Sequence, residues 1–94
     1  MDHLMKDIAH WRDEIDRLDR EIVVLLNKRA GAVLQLAPLK KQANRAVHDP
    51  AREETVHDNL RQANDGPLPD ESIDNVFESV MTEMRALQQQ LIGK

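Results

Sequence analysis

The stretch "LMKDIAHWRDEIDRLDREIVVL", residues 4–25, decides the fold. Its apolar residues Leu4, Ile8, Trp11, Ile15, Leu18, Ile22 and Leu25 follow one another at spacings of 4, 3, 4, 3, 4 and 3. Side chains three and four apart share one face of an α-helix, so this spacing predicts a helix with a single apolar stripe over three heptads. The stripe continues through Val33 and Leu36, and helix 1 is expected from about residue 4 to about residue 41. Pro38 interrupts the pattern; it removes one backbone donor and crowds a preceding carbonyl, so it is expected to kink or weaken the last turns.

That length poses a packing problem. At ~1.5 Å per residue the helix spans roughly 55 Å. A compact chain of this size has a radius of gyration near 12 Å, which is a diameter of about 32 Å. A monomeric core cannot cover such a stripe along its whole length. The expected solution is a second copy of the same helix, and hence an intertwined antiparallel homodimer.

The remaining chain divides readily. "QANRAVHD" (42–49) reads as a loop, and Asp49 followed by Pro50 is a helix start, with Asp as N-cap and Pro at the first helical position. Helix 2, about 50–64, carries Val56, Leu60 and Ala63 before "NDGP" (64–67) stops it. Helix 3, about 70–92, opens near "LPDES" and carries Ile73, Val76, Phe77, Val80, Met81, Met84, Leu87 and Leu91. The expectation is an all-α fold in one domain over residues 1–94, from Met1 to the closing "LIGK".

Composition narrows the function classes. Aromatic residues are 2% of the chain, Trp11 and Phe77 alone, too few for a platform on which nucleic-acid bases stack. The net charge of −4 also speaks against a phosphate-backbone binder, so no nucleic-acid partner is expected. With no cysteine there is no disulfide or thiolate chemistry. No apolar run is read as approaching a membrane span, and the N-terminus lacks a signal peptide's apolar core, so no membrane partner is expected and the cytoplasm is the expected location. His3, His10, His48 and His57 lack metal-ligand spacing, and surface or capping roles are expected of them, with no metal and no cofactor.

Charges on the stripe point to a site. Continuing the heptad spacing past Leu25 arrives at Arg29, and past Leu36 at Lys40. Two cations thus stand where apolar side chains belong, and burying them without partners is costly. Eleven residues apart, they fall within about 20° of one helix face and roughly 16 Å along it. Each either pairs with an acid from helix 2 or 3 or grips a small anion between them. In "VHDPAREE" (47–54) Arg52 breaks the preference of a helix start for acids, which Asp49, Glu53 and Glu54 obey. Either it pairs with those neighbours or it faces an anion from outside the chain. Arg12 lies 17 residues before Arg29, about 25 Å away and about 100° around the helix, so it cannot share a small ligand with Arg29 of its own chain. In an antiparallel dimer it reaches its partner's site; alone it reads as a solvated arginine near Asp16. Gln88, four residues after Met84, is a neutral amide able to donate at any pH, although "QQQ" (88–90) also reads as a polar helix end.

With these residues in place, the chain resembles the all-helical class (type II) of chorismate mutases over essentially its whole length. The carrying features are "WRDEIDRLDREIVVLLNKRA" (11–30), the lysine of "LAPLKK" (36–41), "DPAREE" (49–54) and "FESVMTEMRALQ" (77–88). Arg12, Arg29, Lys40, Asp49, Arg52, Glu53 and Gln88 fall where that family places active-site residues. The resemblance implies a Claisen rearrangement of chorismate to prephenate, a pericyclic step that needs no nucleophile. It also implies that Arg29 and the partner chain's Arg12 bind the side-chain carboxylate, and that Arg52 binds the ring carboxylate. Lys40 and Gln88 would donate to the ether oxygen, and Glu53, helped by the backbone at Asp49, would accept from the ring hydroxyl. Three positions depart from the family pattern. Met84 stands where relatives often carry a small polar residue near the substrate, and Ala37 and Pro38 replace a common glycine and a non-proline. The proline puts Lys41 beside Lys40 as a candidate for the inward-facing lysine. The resemblance further implies possible fusion to, or association with, another aromatic-pathway enzyme. Two rivals stand beside the mutase: an isochorismate pyruvate lyase on the same fold, and a non-catalytic helical dimerisation or regulatory module.

Overall fold

The computed structural model of the chain describes residues 2–92. They form three helices and no strand: α1 (Asp2–Gln42), α2 (Pro50–Ala63) and α3 (Asp70–Ile92). The extreme ends of the expected domain, Met1 and residues 93–94, lie outside the described residues. The described chain divides into two units, residues 2–32 and residues 33–92.

The first unit is the N-terminal part of α1. Every stripe residue from Leu4 to Leu25 leaves between 39% and 65% of its surface exposed, so no part of the described chain covers the stripe. Arg17 bridges Glu14 and Glu21 on the helix surface, one turn to either side. One expectation is corrected. By length and composition alone α1 is able to cross a membrane, because it contains an 18-residue window of mean hydropathy 1.3. The apolar residues around Lys28 and Arg29 outweigh those two charges in the average.

The second unit packs α2 against α3. Its buried residues are Ala37 from the end of α1 and Met81, Met84 and Gln88 from α3. The α1 helix runs through Pro38 to Gln42. A proline there forfeits a single backbone bond, and the flanking turns keep theirs. The helix then closes with Arg45 N–H donating to Lys40 C=O (2.7 Å) and Asn44 N–H donating to Lys41 C=O (3.1 Å). Asn44 adopts a left-handed φ of 57° to allow this. These two bonds and the left-handed residue make a Schellman end, with asparagine in the place glycine usually takes.

Asp49 caps α2, its Oδ1 accepting from Arg52 N–H at 3.1 Å. The turn to α3 is organised by Asn64. Its Oδ1 accepts from Gly66 N–H (3.1 Å), and its Nδ2 donates to Leu68 C=O (2.9 Å) and Asp70 Oδ1 (2.8 Å). Gly66 takes φ +77°, a region that penalises any side chain.

Charged side chains then clasp α2 to α3. His57, expected at the surface or in a cap, is instead 13% exposed and held between two carboxylates. Its Nδ1 lies 2.9 Å from Asp74 Oδ1 and its Nε2 lies 2.7 Å from Glu78 Oε1. Arg61 joins Asp74 (2.9 Å) and Asp58 (2.6 Å). Only the imidazolium can donate from both nitrogens. The bond to Glu78, and after it the bond to Asp74, hold the His57 pKa above its ordinary 6.5 against the opposing effect of burial. The native state therefore binds the proton more tightly than the unfolded chain. Its stabilisation is complete below 6.5 and is lost as the pH rises through the raised value. Urea unfolding at stepped pH should show stability falling on the alkaline side of 6.5, with the fall absent in His57→Gln.

Candidate active site

Within the second unit the structure brings Lys40 and Gln88 together. Lys40 is half-buried on the last turns of α1, and its Nζ donates to Val47 C=O (3.0 Å) and to Gln88 Oε1 (3.4 Å). Lys41 is exposed, so Lys40 is the lysine turned towards α3. Gln88 is 6% exposed, and its Nε2 donates to Met84 C=O at 3.4 Å. Met84, one turn earlier on α3, is buried at 8% exposure and presents no polar group there.

The N-terminal turn of α2 carries Asp49, Arg52 and Glu53. Asp49 is half-buried and engaged as the cap, while the Arg52 side chain is exposed. Glu53 is 19% exposed, and its Oε2 accepts from Arg85 Nη1 at 2.5 Å. In the first unit Arg29 is half-buried and Arg12 exposed.

The pairing of cations is informative. Among the described residues, Arg17, Arg61 and Arg85 form the arginine–carboxylate pairs. Arg12, Arg29, Lys40 and Arg52 form none, and of these Arg29 and Lys40 are half-buried. Pairing of Lys40 with an acid of α2 or α3, an alternative left open for it, does not occur among the described residues. A half-buried cation with no carboxylate partner keeps its donors open to an anion.

Two residues were not anticipated from the sequence: Arg85 on Glu53, and His57 between Asp74 and Glu78. Each pair joins α2 to α3, and interhelix register is not written in helical periodicity. A partial signal existed for His57, which sits one turn from both Glu53 and Arg61 on α2.

A groove of about 440 Å³ opens beside this clasp, lined by His48, Glu53, Glu54, His57, Asp74 and Glu78 among others. Its walls are predominantly acidic, so a dianion would be repelled from it, and only Glu53 is shared with the candidate site. Among the described residues no group of three or more His, Asp or Glu side chains is arranged to hold a metal ion.

The family model described as chorismate mutase type II matches residues 11–89. The bifunctional chorismate mutase/prephenate dehydratase of Neisseria gonorrhoeae is 41% identical over 80 residues, covering 85% of this chain and 22% of that protein. The enzyme of the same description from Aquifex aeolicus is 29% identical over 91 residues, covering 93% of this chain and 25% of that protein. The chain thus spans a quarter or less of the length of these bifunctional relatives. Among solved structures, chorismate mutase (form II) from Thermus thermophilus superposes with a TM-score of 0.84 at 34% identity, covering 87% of this chain and 93% of that one. A match across nearly all of the described helices, in sequence and in fold, makes this chain a member of the type II chorismate mutase family.

Proposed function

We propose that this chain catalyses the Claisen rearrangement of chorismate to prephenate, working in the cytoplasm as an intertwined antiparallel homodimer whose sites each take Arg12 from the partner chain. The observation that carries the reading is Lys40 Nζ at 3.4 Å from Oε1 of the buried Gln88, an amine and an amide brought together from positions 48 residues apart in sequence. Chorismate carries two carboxylates, and its rearrangement breaks an ether C–O bond while negative charge builds on that oxygen. Such a reaction needs a clamp for the reactive conformer and donors fixed where the charge develops. No side chain has to attack or carry a proton.

Each residue then has a task. Arg29 and the partner's Arg12 bind the side-chain carboxylate, and Arg52 binds the ring carboxylate, as forked guanidinium–carboxylate contacts. Lys40 and Gln88 donate to the ether oxygen, and Glu53, with the backbone at Asp49, accepts from the ring hydroxyl. Met84 closes the pocket beside the substrate. The dimer covers the stripe from Leu4 to Leu25, which a solvated chain leaves open. The bifunctional relatives are named for a prephenate dehydratase as well, and an enzyme of that class, fused or associated, would take up the product.

Two experiments test this. Chorismate consumption should be followed by loss of its diene absorbance, with products separated by chromatography and isochorismate run in parallel. Prephenate should form, and Arg29→Ala and Lys40→Ala should each lower kcat/KM about a hundredfold to a thousandfold, the usual cost of removing a preorganised charge-stabilising donor. Lys41→Ala should stay within about twofold, as exposed substitutions do. Pyruvate from isochorismate would move the assignment to a lyase, and inertness towards both would leave a binding module.

The shared site has its own signature. Arg12→Ala and Arg29→Ala homodimers should each be nearly inactive. Refolding them together should regain about a quarter of wild-type activity, since half the dimers are mixed and each mixed dimer has one intact site. No regain would place Arg12 and Arg29 in the same chain's site, or outside the site altogether.

A further inference from the structure

We propose that Arg85 is a positioning residue for Glu53, holding its carboxylate in place and neutralising its charge in front of a dianionic ligand. The inference rests on the mutase reading, and it concerns a residue to which that reading gives no task.

Arg85 follows the buried Met84 on α3 and precedes Gln88 by three, so it shares a helix face with the candidate donor. Its guanidinium is held on two sides. Nη1 donates to Glu53 Oε2 at 2.5 Å, and Nη2 donates to Thr82 Oγ1 at 3.2 Å. The Thr82 hydroxyl in turn donates to Glu78 C=O at 2.8 Å, so its single proton is committed and its oxygen is left to accept from Arg85. The pair is also sheltered, with 23% of the Arg85 side chain and 19% of the Glu53 side chain exposed. Sheltered pairs of this kind are screened less than surface ones.

The division of the two carboxylate oxygens gives the pair a purpose. Oε2 takes Arg85, and His48 Nε2 stands 4.0 Å from the same atom. Oε1 is the oxygen left to accept from a substrate hydroxyl. A bare carboxylate there would set a third negative charge beside two substrate carboxylates. Arg85 cancels it, so Glu53 can accept a hydrogen bond without repelling the ligand. Its own charge being already answered by Glu53, Arg85 acts through that residue and does not serve as a further carboxylate clamp.

Steady-state kinetics on the full chain test the idea with Arg85→Ala, Arg85→Lys, Glu53→Gln and the Arg85→Ala/Glu53→Gln double variant. Circular dichroism and thermal melts accompany each variant. Arg85→Ala should raise KM about tenfold and change kcat by less than about threefold, because the hydroxyl contact is made in ground and transition states alike. Arg85→Lys should recover most of KM, since it restores the charge although not the Thr82 contact. In the Glu53→Gln background, where no charge needs cancelling, adding Arg85→Ala should move KM by less than about twofold. A full tenfold loss in that background would overturn the inference, showing that Arg85 acts on the substrate or the fold independently of Glu53. Failure of Arg85→Lys to recover KM would overturn charge compensation likewise. A wild-type chain that does not turn over chorismate would sink both this inference and the mutase reading, whereas turnover with additive effects would sink this inference alone.

Discussion

A 41-residue helix with an uncovered apolar stripe is the constraint on which the rest depends. Burying a large aliphatic side chain is worth about 1.5–3 kcal/mol. The seven stripe residues from Leu4 to Leu25 therefore represent on the order of 10 kcal/mol, comparable to the whole stability of an ordinary domain. The buried residues of the second unit are few and small in comparison: an alanine, two methionines and a glutamine amide. The proposed homodimer supplies the surface that the stripe lacks. Lipid is a poor candidate for the first half of α1, because Asp13, Glu14, Asp16, Arg17, Asp19, Arg20 and Glu21 surround the stripe. A helix apolar on one face and densely charged on the others suits a protein seam.

The distribution of ion pairs is as telling as their presence. In the second unit Asp58 and Asp74 meet Arg61, Asp74 and Glu78 meet His57, and Glu53 meets Arg85. These acids of α2 and α3 are engaged with other partners, and Lys40 Nζ is held by neutral oxygens of Val47 and Gln88. A half-buried lysine without a carboxylate partner among the described residues contributes no ion pair to the fold. Arg29, half-buried and without a carboxylate among the described residues, shows the same property. Arg52, exposed in an acidic helix start, pairs with none of its neighbours among the described residues.

Helix periodicity made much of this legible. The 4–3 spacing marked α1, Asp49–Pro50 marked the start of α2, and the phase of Arg29 and Lys40 on the stripe marked them as out of place. Three things were not legible in that way. Pro38 reads as a kink or a weakening of the last turns, yet α1 stays helical through it to Gln42, because one lost donor does not outweigh the turns on either side. The charges at Lys28 and Arg29 hid how apolar their surroundings are on average. His57 and Arg85 owe their roles to α2–α3 register, which depends on how two helices align and is carried by neither helix's own sequence period.

That register has a physical origin in side-chain order. Along α2, Glu53, His57 and Arg61 form a row at four-residue intervals, and along α3 a second row runs Asp74, Glu78, Thr82 and then Arg85. Set antiparallel, the rows meet as Arg61 with Asp74, His57 with Asp74 and Glu78, and Glu53 with the Arg85–Thr82 pair. A slip of one turn in one direction sets Glu53 against Glu78, acid on acid. A slip the other way sets His57 between Glu78 and Thr82 and costs it the Asp74 carboxylate. Either displacement loses charge complementarity that the observed alignment keeps, so the ladder selects one register. The same alignment seats Glu53 against the stretch of α3 that carries Met84 and Gln88. The ion pairs farthest from the chemistry thereby determine where the candidate site's acid stands.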